Sequence, residues 1–528
     1  MPRQPAGGRR HASSDYPACQ RARPATDNRR MLLTPFPARF TARLTAGLLA
    51  ALASLSASAQ TLPPEVDALL ARAKVPREAF AAVVVDAAPA INGRAAPLLS
   101  WRAGSAMNPA SVMKLVTTYA GLELLGPAYT WSTPVYADGP IANGVLSGNL
   151  IIQGRGDPKL VMERLWLLLR RVQGLGIKTI TGDILLDRSA FAASTQHPGD
   201  FDGEALRPYN VQPDALLLNY KSVVMTFAPN PGSGSASISY DPPLAGVRMQ
   251  PGVPLSAGSN GRAGLAECGD YRAQLQPDFA DPLRMAFAGS YPAACGEKVW
   301  AIAYPDPASY AQRAIAGLWQ EMGGTLGGQV RDGVAPPGLA PAFEMESASL
   351  AEIIRDINKF SNNVMAQQLF LTLSLQRPGG ASNEASREAV RGWWQGRFGA
   401  QNGGPGNAPD MPVLDNGSGL SRLERVTPQG LARMLQTAYV SGAMPELMAS
   451  LPISGVDGTL KRSKSQVSQG WAHLKSGTLR DATALAGYVH TPSGRRLVVV
   501  GIVNHANAPA ARPALEALVD WAVKEGSR

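Results

Sequence analysis

The sequence predicts an α+β protein whose antiparallel sheet, flanked by helices, is built from both ends of the chain. One strand pattern covers residues 80–86, and two more, at 484–490 and 496–505, enclose a turn signal and predict a hairpin. An amphipathic pattern at 513–524 predicts a last helix that packs on this sheet. We therefore predict a main domain formed by residues 60–134 and 346–528.

A long interval interrupts this main domain. Lys114 and Ser361, which belong to two motifs described below, are 247 residues apart (361 − 114), and the interval has strand patterns and Gly/Pro-rich loops of its own. We expect residues 135–345, called the insert from here on, to hold one or two further domains. Because an insert leaves and re-enters its host at neighbouring points, residues near 135 and 345 should lie close together.

The N-terminal residues predict export. Arg39 and Arg43 precede an apolar run at 44–55, and Ala57-Ser58-Ala59 resembles a signal-peptidase site. The run is too short for a stable transmembrane helix, although an uncleaved anchor is the alternative. We place a signal peptide at about 31–59, behind an extension that suggests a start at Met31 rather than Met1, and expect a periplasmic protein.

Loss of residues 1–59 changes the charge of the chain. They carry nine Arg and two Asp, so about +7 of the net +10 leaves with them. The remainder lacks the basic helix of a nucleic-acid binder, and we expect no nucleic-acid partner. No other apolar run is long enough to span a bilayer, so we expect at most peripheral membrane contact. The histidines show no metal-ligand spacing, and we predict no metal and no cofactor.

Two cysteines stay in the exported chain. Cys268 and Cys295 are predicted to form a disulfide, because even cysteine numbers in exported proteins are usually paired. Two buried free thiols are the alternative.

The most informative stretch is Asn108 to Lys114. Ser111 and Lys114 are spaced i and i+3, so on a helix the amine can reach the hydroxyl. Asn108 as N-cap and Pro109 as first residue predict a helix start here. Alone, such a pair is also typical of an exposed helix surface.

Two further motifs follow in order. Ser361-Asn362-Asn363 opens a helical pattern, and Lys475-Ser476-Gly477-Thr478 follows a strand-like run at 471–474. Ser-x-x-Lys, Ser-x-Asn and Lys-[Ser/Thr]-Gly together are typical of serine acyltransferases that penicillins acylate. A second Ser-x-Asn, at 147–149, lies between strand patterns and predicts a turn.

With these motifs and the insert, the chain resembles the class C low-molecular-mass penicillin-binding proteins, the D-alanyl-D-alanine carboxypeptidase/endopeptidases. The resemblance implies a penicillin-binding, beta-lactamase-like transpeptidase domain with two nested mixed α/β accessory domains, at 135–215 with 300–345 and at 216–299. Two departures are Ser476, where threonine is commoner, and Asn416, which interrupts an Asp-Gly-Ser-Gly phrase. Shared phrases are Gly156-Asp157-Pro158, Pro208-Tyr209-Asn210-Val211, Asp214-Ala215-Leu216 and Gly417-Ser418-Gly419-Leu420-Ser421-Arg422.

The resemblance implies a serine DD-peptidase that cleaves D-Ala-D-Ala and D-Ala-diaminopimelate bonds of peptidoglycan peptide stems and is inhibited by beta-lactams. Ser111 is the expected nucleophile and Lys114 its base, with burial and the Lys475 cation lowering the pKa of Lys114. Ser361 would pass a proton to the leaving amine, and Asn363 would bind the substrate amide.

The remaining expectations concern substrate binding. Lys475, Ser476 and Thr478 would hold a terminal carboxylate, and Gly477 would let the acyl group approach the strand. The backbone N–H groups of Ser111 and Thr478 would form the oxyanion hole. All acylation machinery would then lie outside the insert.

Arg422 and Leu479 would line a pocket for the peptide's side chain, with a salt-bridged surface arginine and a core leucine as alternatives. A beta-lactamase and a non-catalytic periplasmic sensor module are the alternatives for the whole protein. The length of the insert disfavours the first, and the complete set of motif residues disfavours the second. The sequence does not indicate an oligomeric state.

Overall fold

A computed structural model describes residues 61–89, 96–256, 267–377, 380–399 and 410–528. The predicted signal peptide and both candidate start residues lie outside these ranges. Within them, no helix is long and apolar enough to cross a membrane. The α-helices are α1 (Pro64–Arg72), α2 (Lys114–Leu125), α3 (Met162–Gly174), α4 (Tyr271–Leu275), α5 (Tyr310–Glu321), α6 (Leu350–Phe360), α7 (Asn363–Thr372), α8 (Asn383–Phe398), α9 (Pro428–Tyr439), α10 (Met444–Ser450) and α11 (Arg512–Gly526).

The strands fall into one group at the two chain ends and a larger group in the insert. They are β1 (Phe80–Asp86), β2 (Leu99–Trp101), β3 (Ser132–Ala137), β4 (Ile141–Ala142), β5 (Val145–Leu146), β6 (Leu150–Gln153), β7 (Thr179–Ile180), β8 (Ile184–Asp187), β9 (Ser222–Asn230), β10 (Ser235–Asp241), β11 (Arg248–Met249), β12 (Gly252–Pro254), β13 (Pro277–Asp278), β14 (Arg284–Phe287), β15 (Lys298–Ala303), β16 (Thr325–Leu326), β17 (Val330–Asp332), β18 (Phe343–Glu346), β19 (Ala472–Leu479), β20 (Ala482–His490) and β21 (Arg496–Asn504).

The main domain is organised around a five-stranded antiparallel sheet in the order β19-β20-β21-β1-β2. β1 pairs with β21 along its whole length, which confirms that both chain ends build one sheet. Alternate residues of β1 face opposite sides, as the pleat requires. Phe80, Ala82 and Val84 pack with α1 and α11, whereas Ala81 and Val83 pack with α2, α6 and α9. The predicted α+β architecture is confirmed.

The insert has its own sheets and its own hydrophobic cluster. β3 pairs with β18, with Val135 opposite Phe343, so the predicted proximity of residues 135 and 345 is confirmed. Two mixed sheets, in the orders β17-β8-β6-β3-β18 and β16-β7-β5-β4, share a hydrophobic cluster with α3 and α5. Between them in sequence lie the sheets β12-β10-β9-β15 and β11-β14-β13. The predicted Cys268–Cys295 disulfide is present in this inner part.

The start of the Ser111 helix differs from the prediction. A 3-10 turn, Ala110–Met113, comes first, and the α-helix begins only at Lys114. Asn108 is not its N-cap. Its side-chain oxygen accepts from the Ala110 N–H at 2.9 Å, and its amide donates to the Ser421 carbonyl at 2.9 Å. The side chain therefore ties the turn to a distant loop, a tertiary contact that local capping rules do not contain.

Candidate active site

Lys114 is the centre of the candidate site. As the first residue of α2 it is fully buried, and its amine contacts three oxygen atoms. These are Ser111 Oγ at 3.0 Å, Asn363 Oδ1 at 2.6 Å and the Ser418 carbonyl oxygen. A neutral amine has two N–H groups and one lone pair. Since Asn363 and Ser418 offer only acceptors to it, in the neutral form of Lys114 they would take both N–H groups and leave the lone pair for the Ser111 hydroxyl.

Asn363 has a defined orientation in this arrangement. Its amide nitrogen donates to the Tyr209 carbonyl at 3.0 Å, which leaves its oxygen for Lys114. Tyr209 belongs to the 3-10 turn Pro208–Asn210 of the insert. The expectation that the acylation machinery lies wholly outside the insert is therefore wrong in one respect, because the insert supplies a backbone acceptor that fixes Asn363. Two further hydrogen bonds join the insert to α7. The Asp214 N–H donates to the Gln368 side-chain oxygen at 3.0 Å, and the Gln368 amide donates to the Asp214 carbonyl at 2.9 Å.

The electrostatics favour a neutral Lys114. Burial, followed by the Lys475 cation, lowers the pKa of Lys114 well below its ordinary value, while Glu424 acts in the opposite direction. Burial also lowers the pKa of Lys475, to about 7. Two buried amines close to each other disfavour double protonation.

Ser361 and Lys475 form the second contact pair. Lys475 lies in β19, and its amine donates to Ser361 Oγ at 2.9 Å and to the Ser476 carbonyl at 2.7 Å. Ser361 lies between α6 and α7 with φ +57°, a left-handed conformation that is uncommon for serine. Strained backbone of this kind concentrates at functional sites. The turn aims the hydroxyl at Lys475 instead of letting one helix continue.

β19 runs through the third motif instead of ending before it, and it lies directly against the Ser111 turn. A Cβ atom on Gly477 would lie 2.5 Å from the Pro109 carbonyl oxygen and 2.9 Å from the Ser111 nitrogen. The glycine is therefore required by packing of the strand on the turn, and its expected role in acyl-group approach stays a prediction. Ser476 Oγ lies 2.8 Å from Thr459 Oγ1, and Thr478 is exposed.

The structure separates the two predicted side-chain-pocket residues. Arg422 forms an ion pair with Asp481 at 2.8 Å, and its guanidinium lies 4.7 Å from the ring centre of Phe201 in the insert. Arg422, Phe201 and Asp200 line a cavity of about 160 Å³ between the insert and the main domain. Leu479, the partly exposed last residue of β19, does not line this cavity and is not a core residue either.

Sequence analysis identified the loop that carries Ser418 only as a shared phrase and missed Glu424, which holds it. Glu424 is fully buried, and its Oε1 accepts the N–H groups of Asp415, Asn416 and Gly417 at 3.2, 3.2 and 2.8 Å. Asn416, the residue that interrupts the expected phrase, accepts from both the N–H and the hydroxyl of Ser418. The extra residue thus stabilises a tight turn. A single glutamate in an irregular segment gave no signal for this role.

Nothing among the described side chains is arranged as a metal site, since no group of three or more His, Cys, Asp or Glu could hold an ion there.

The sheet is built from both chain ends and has helical layers on either face. Two lysine–serine contacts lie at one edge, and the insert has separate sheets. These features define the class of penicillin-binding proteins related to beta-lactamases. The chain belongs to the D-Ala-D-Ala carboxypeptidase 3 (S13) family, whose sequence model matches residues 62–525. The predicted family is confirmed, and with it the assignment to carboxypeptidase-type hydrolases.

Known proteins resemble the chain over most of its length. A D-alanyl-D-alanine carboxypeptidase of Actinomadura sp. (strain R39) is 27% identical over 466 residues, which are 86% of this chain and 82% of the relative. The crystal structure of penicillin binding protein 4 from Haemophilus influenzae covers 86% of this chain and 98% of its own, with a TM-score of 0.66 and 23% identity. A structure of that protein complexed with a novel beta-lactam matches with a TM-score of 0.65 and 22% identity.

Proposed function

We propose that this protein is a serine DD-peptidase that forms an acyl-enzyme on Ser111. The observation that carries the proposal is the 3.0 Å contact between the fully buried Lys114 amine and the Ser111 hydroxyl. Lys114 takes the hydroxyl proton as Ser111 Oγ attacks the carbonyl carbon of the penultimate D-Ala. The oxyanion that forms is stabilised by the backbone N–H groups of Ser111 and Thr478.

The second contact pair serves the leaving group and the substrate carboxylate. The Ser361 hydroxyl, held by Lys475, passes the proton that Lys114 took from Ser111 on to the departing amine as the C–N bond breaks, so that Ser361 and Lys114 both return to their starting forms. Lys475, Ser476 and Thr478 line the β19 side of the site and suit the terminal carboxylate. Asn363 binds the substrate amide while it positions Lys114. A water molecule then hydrolyses the ester and restores the Ser111 hydroxyl.

The substrates proposed are D-Ala-D-Ala termini and D-Ala-diaminopimelate cross-links of peptidoglycan. The cavity beside the site offers groups of both charge signs, the Arg422 guanidinium and the Asp200 carboxylate. Free diaminopimelate side chains carry one ammonium and one carboxylate, so their charges match this lining. Carboxypeptidase and endopeptidase cleavage use the same attack on the D-Ala carbonyl and differ in the amine that leaves.

Beta-lactams are proposed as covalent inhibitors. Their carboxylate and cyclic amide offer the site the same groups as the D-Ala-D-Ala terminus. The beta-lactam complex of the Haemophilus influenzae protein, whose fold this chain shares, supports this proposal.

The test is intact-protein mass spectrometry after incubation with benzylpenicillin. Wild-type protein should gain one penicilloyl group, located on Ser111 by peptide mapping, and Ser111→Ala should gain none. Ser147→Ala is the matched control, because Ser147 is exposed and belongs to the other Ser-x-Asn sequence. A penicilloyl group on another residue would contradict the mechanism. Rapid release of the group would favour a beta-lactamase, and mass analysis of muropeptide products would identify the bond cleaved.

The place of action is proposed to be the periplasm, after removal of a signal peptide at about 31–59. The support is the charged, apolar and small-residue pattern of this segment. N-terminal sequencing of protein purified from the periplasmic fraction should begin near Gln60. A protein retained in the cytoplasmic fraction with residues 31–59 attached would contradict the proposal.

A further inference from the structure

Glu424 is a buried carboxylate that the mechanism above does not use. Its side chain has no exposed surface, and its Oε1 collects three successive backbone N–H groups, from residues 415 to 417. The other oxygen, Oε2, is buried without a hydrogen-bond partner. A buried polar atom in this state is costly, so its presence calls for a role.

The loop gathered by Glu424 contacts the candidate base and its helix. The Ser418 carbonyl accepts from Lys114, and the Gly417 carbonyl accepts from the Thr117 hydroxyl at 2.6 Å, one turn further along α2. The loop also touches the turn that carries Ser111, because a Cβ atom on Gly419 would lie 2.0 Å from the Ala110 carbonyl oxygen. A shift of this loop would therefore move the Ser418 carbonyl, one of the two acceptors that orient the Lys114 amine.

The charge of Glu424 acts on the same amine. Its carboxylate raises the pKa of Lys114, against the burial and the Lys475 cation that lower it. Burial raises the pKa of Glu424 itself to about 7, with Asp415 of the same loop adding to the rise, while two backbone N–H groups and Lys114 oppose it. The charged groups around this amine are thus Lys475 on β19, Glu424, and Asp415 acting through Glu424. Hydrogen bonds from N–H groups favour the ionised carboxylate.

We propose that Glu424 is a positioning residue for acylation, which holds the Ser418 carbonyl on Lys114 and, as an anion, sets the pH at which Lys114 becomes a base. The inference rests on the proposed function, since it assigns Lys114 that role. It requires Glu424 to be charged while Lys114 loses its proton.

The sign of the effect follows from linkage. Lys114 accepts a proton only as a neutral amine, so acylation declines as the pH falls through the pKa of Lys114. Glu424→Gln removes a neighbouring negative charge and therefore lowers that pKa. The acidic limb of the rate profile should move to lower pH, by about one unit, at the low end of the shifts caused by a close opposite charge.

The test is stopped-flow acylation by a fluorescent penicillin between pH 4 and pH 9, with wild-type protein, Glu424→Gln, Glu424→Asp and Glu78→Gln. Glu78 is exposed in the main domain, and its variant should match wild type. Glu424→Asp keeps the charge, but its shorter side chain withdraws the carboxylate from the N–H groups of the loop. The acidic limb of its rate profile should therefore stay in place. The acylation rate on the plateau above that limb should fall at least fivefold, as for a misplaced catalytic group.

The outcomes separate the two proposals. If wild-type protein is not acylated on Ser111, the proposed function fails. If wild type is acylated and Glu424→Gln loses rate without a shift of the limb, Glu424 has only a structural role and the inference is overturned. If Glu424→Gln does not fold, Glu424→Asp still decides the positioning claim, because a full plateau rate in that variant would overturn it.

Discussion

Gly477→Ala should separate the candidate nucleophile from β19, the strand proposed to bind the substrate. The new Cβ would lie 2.5 Å from the Pro109 oxygen, whereas ordinary contacts are 3.4–4 Å, so β19 and the turn must move apart by up to 0.9 Å (3.4 − 2.5). Misplacement of about 1 Å in an active site can cost about a hundredfold in rate. Overpacking of this kind also costs about 1–3 kcal/mol of folding free energy.

The assay has two parts, stopped-flow acylation by a fluorescent penicillin and thermal unfolding. Gly392→Ala is the matched control, since it makes the same substitution within α8, where a Cβ atom meets nothing within 4 Å. We expect the control to acylate normally and to gain about 0.5–1 kcal/mol, because alanine is favoured over glycine inside a helix. A Gly477→Ala protein that acylates at the wild-type rate and unfolds at the wild-type temperature would refute the packing argument.

Three further predictions concern the lysines, the disulfide and the cavity. Lys114→Ala and Lys475→Ala should each reduce the acylation rate at least about a hundredfold, as for a positioned base or charge. Lys475→Arg should not restore the acylation rate, because a planar guanidinium group does not replace the compact charge of an ammonium group. Normal stopped-flow rates in any of these three variants would refute the roles of the two lysines. The Cys268→Ala/Cys295→Ala protein should lose about 2–5 kcal/mol of folding free energy and therefore unfold at a lower temperature. Its Ser111 should still react with penicillin. Arg422→Ala should impair cleavage of cross-linked muropeptides more than penicillin acylation, and equal losses in both assays would exclude a role in side-chain binding.

Local patterns predicted the main sheet of this protein because each depends on a few neighbouring residues. β1 and β21 are continuous apolar runs that are visible in either segment alone, and both strands are buried along most of their length. The contact between Ser111 and Lys114 is likewise local, since i,i+3 spacing on one helical turn brings the two side chains together. The family motifs then predicted that Asn363 and Lys475 join one site from distant parts of the sequence, and in the structure Asn363 contacts Lys114 while Lys475 contacts Ser361.

The groups that local patterns did not predict act through the backbone. Tyr209 offers Asn363 a carbonyl oxygen, and Ser418 offers one to Lys114, so neither side chain identifies its contact. Glu424 lies in an irregular segment where a glutamate normally suggests an exposed surface. Its burial follows from the three N–H groups that the loop turns inward, a property of the folded loop rather than of the residue type. The proposed base therefore contacts a carbonyl that belongs to a loop held by a carboxylate six residues further along the chain, and Glu424→Gln tests whether the base depends on that carboxylate.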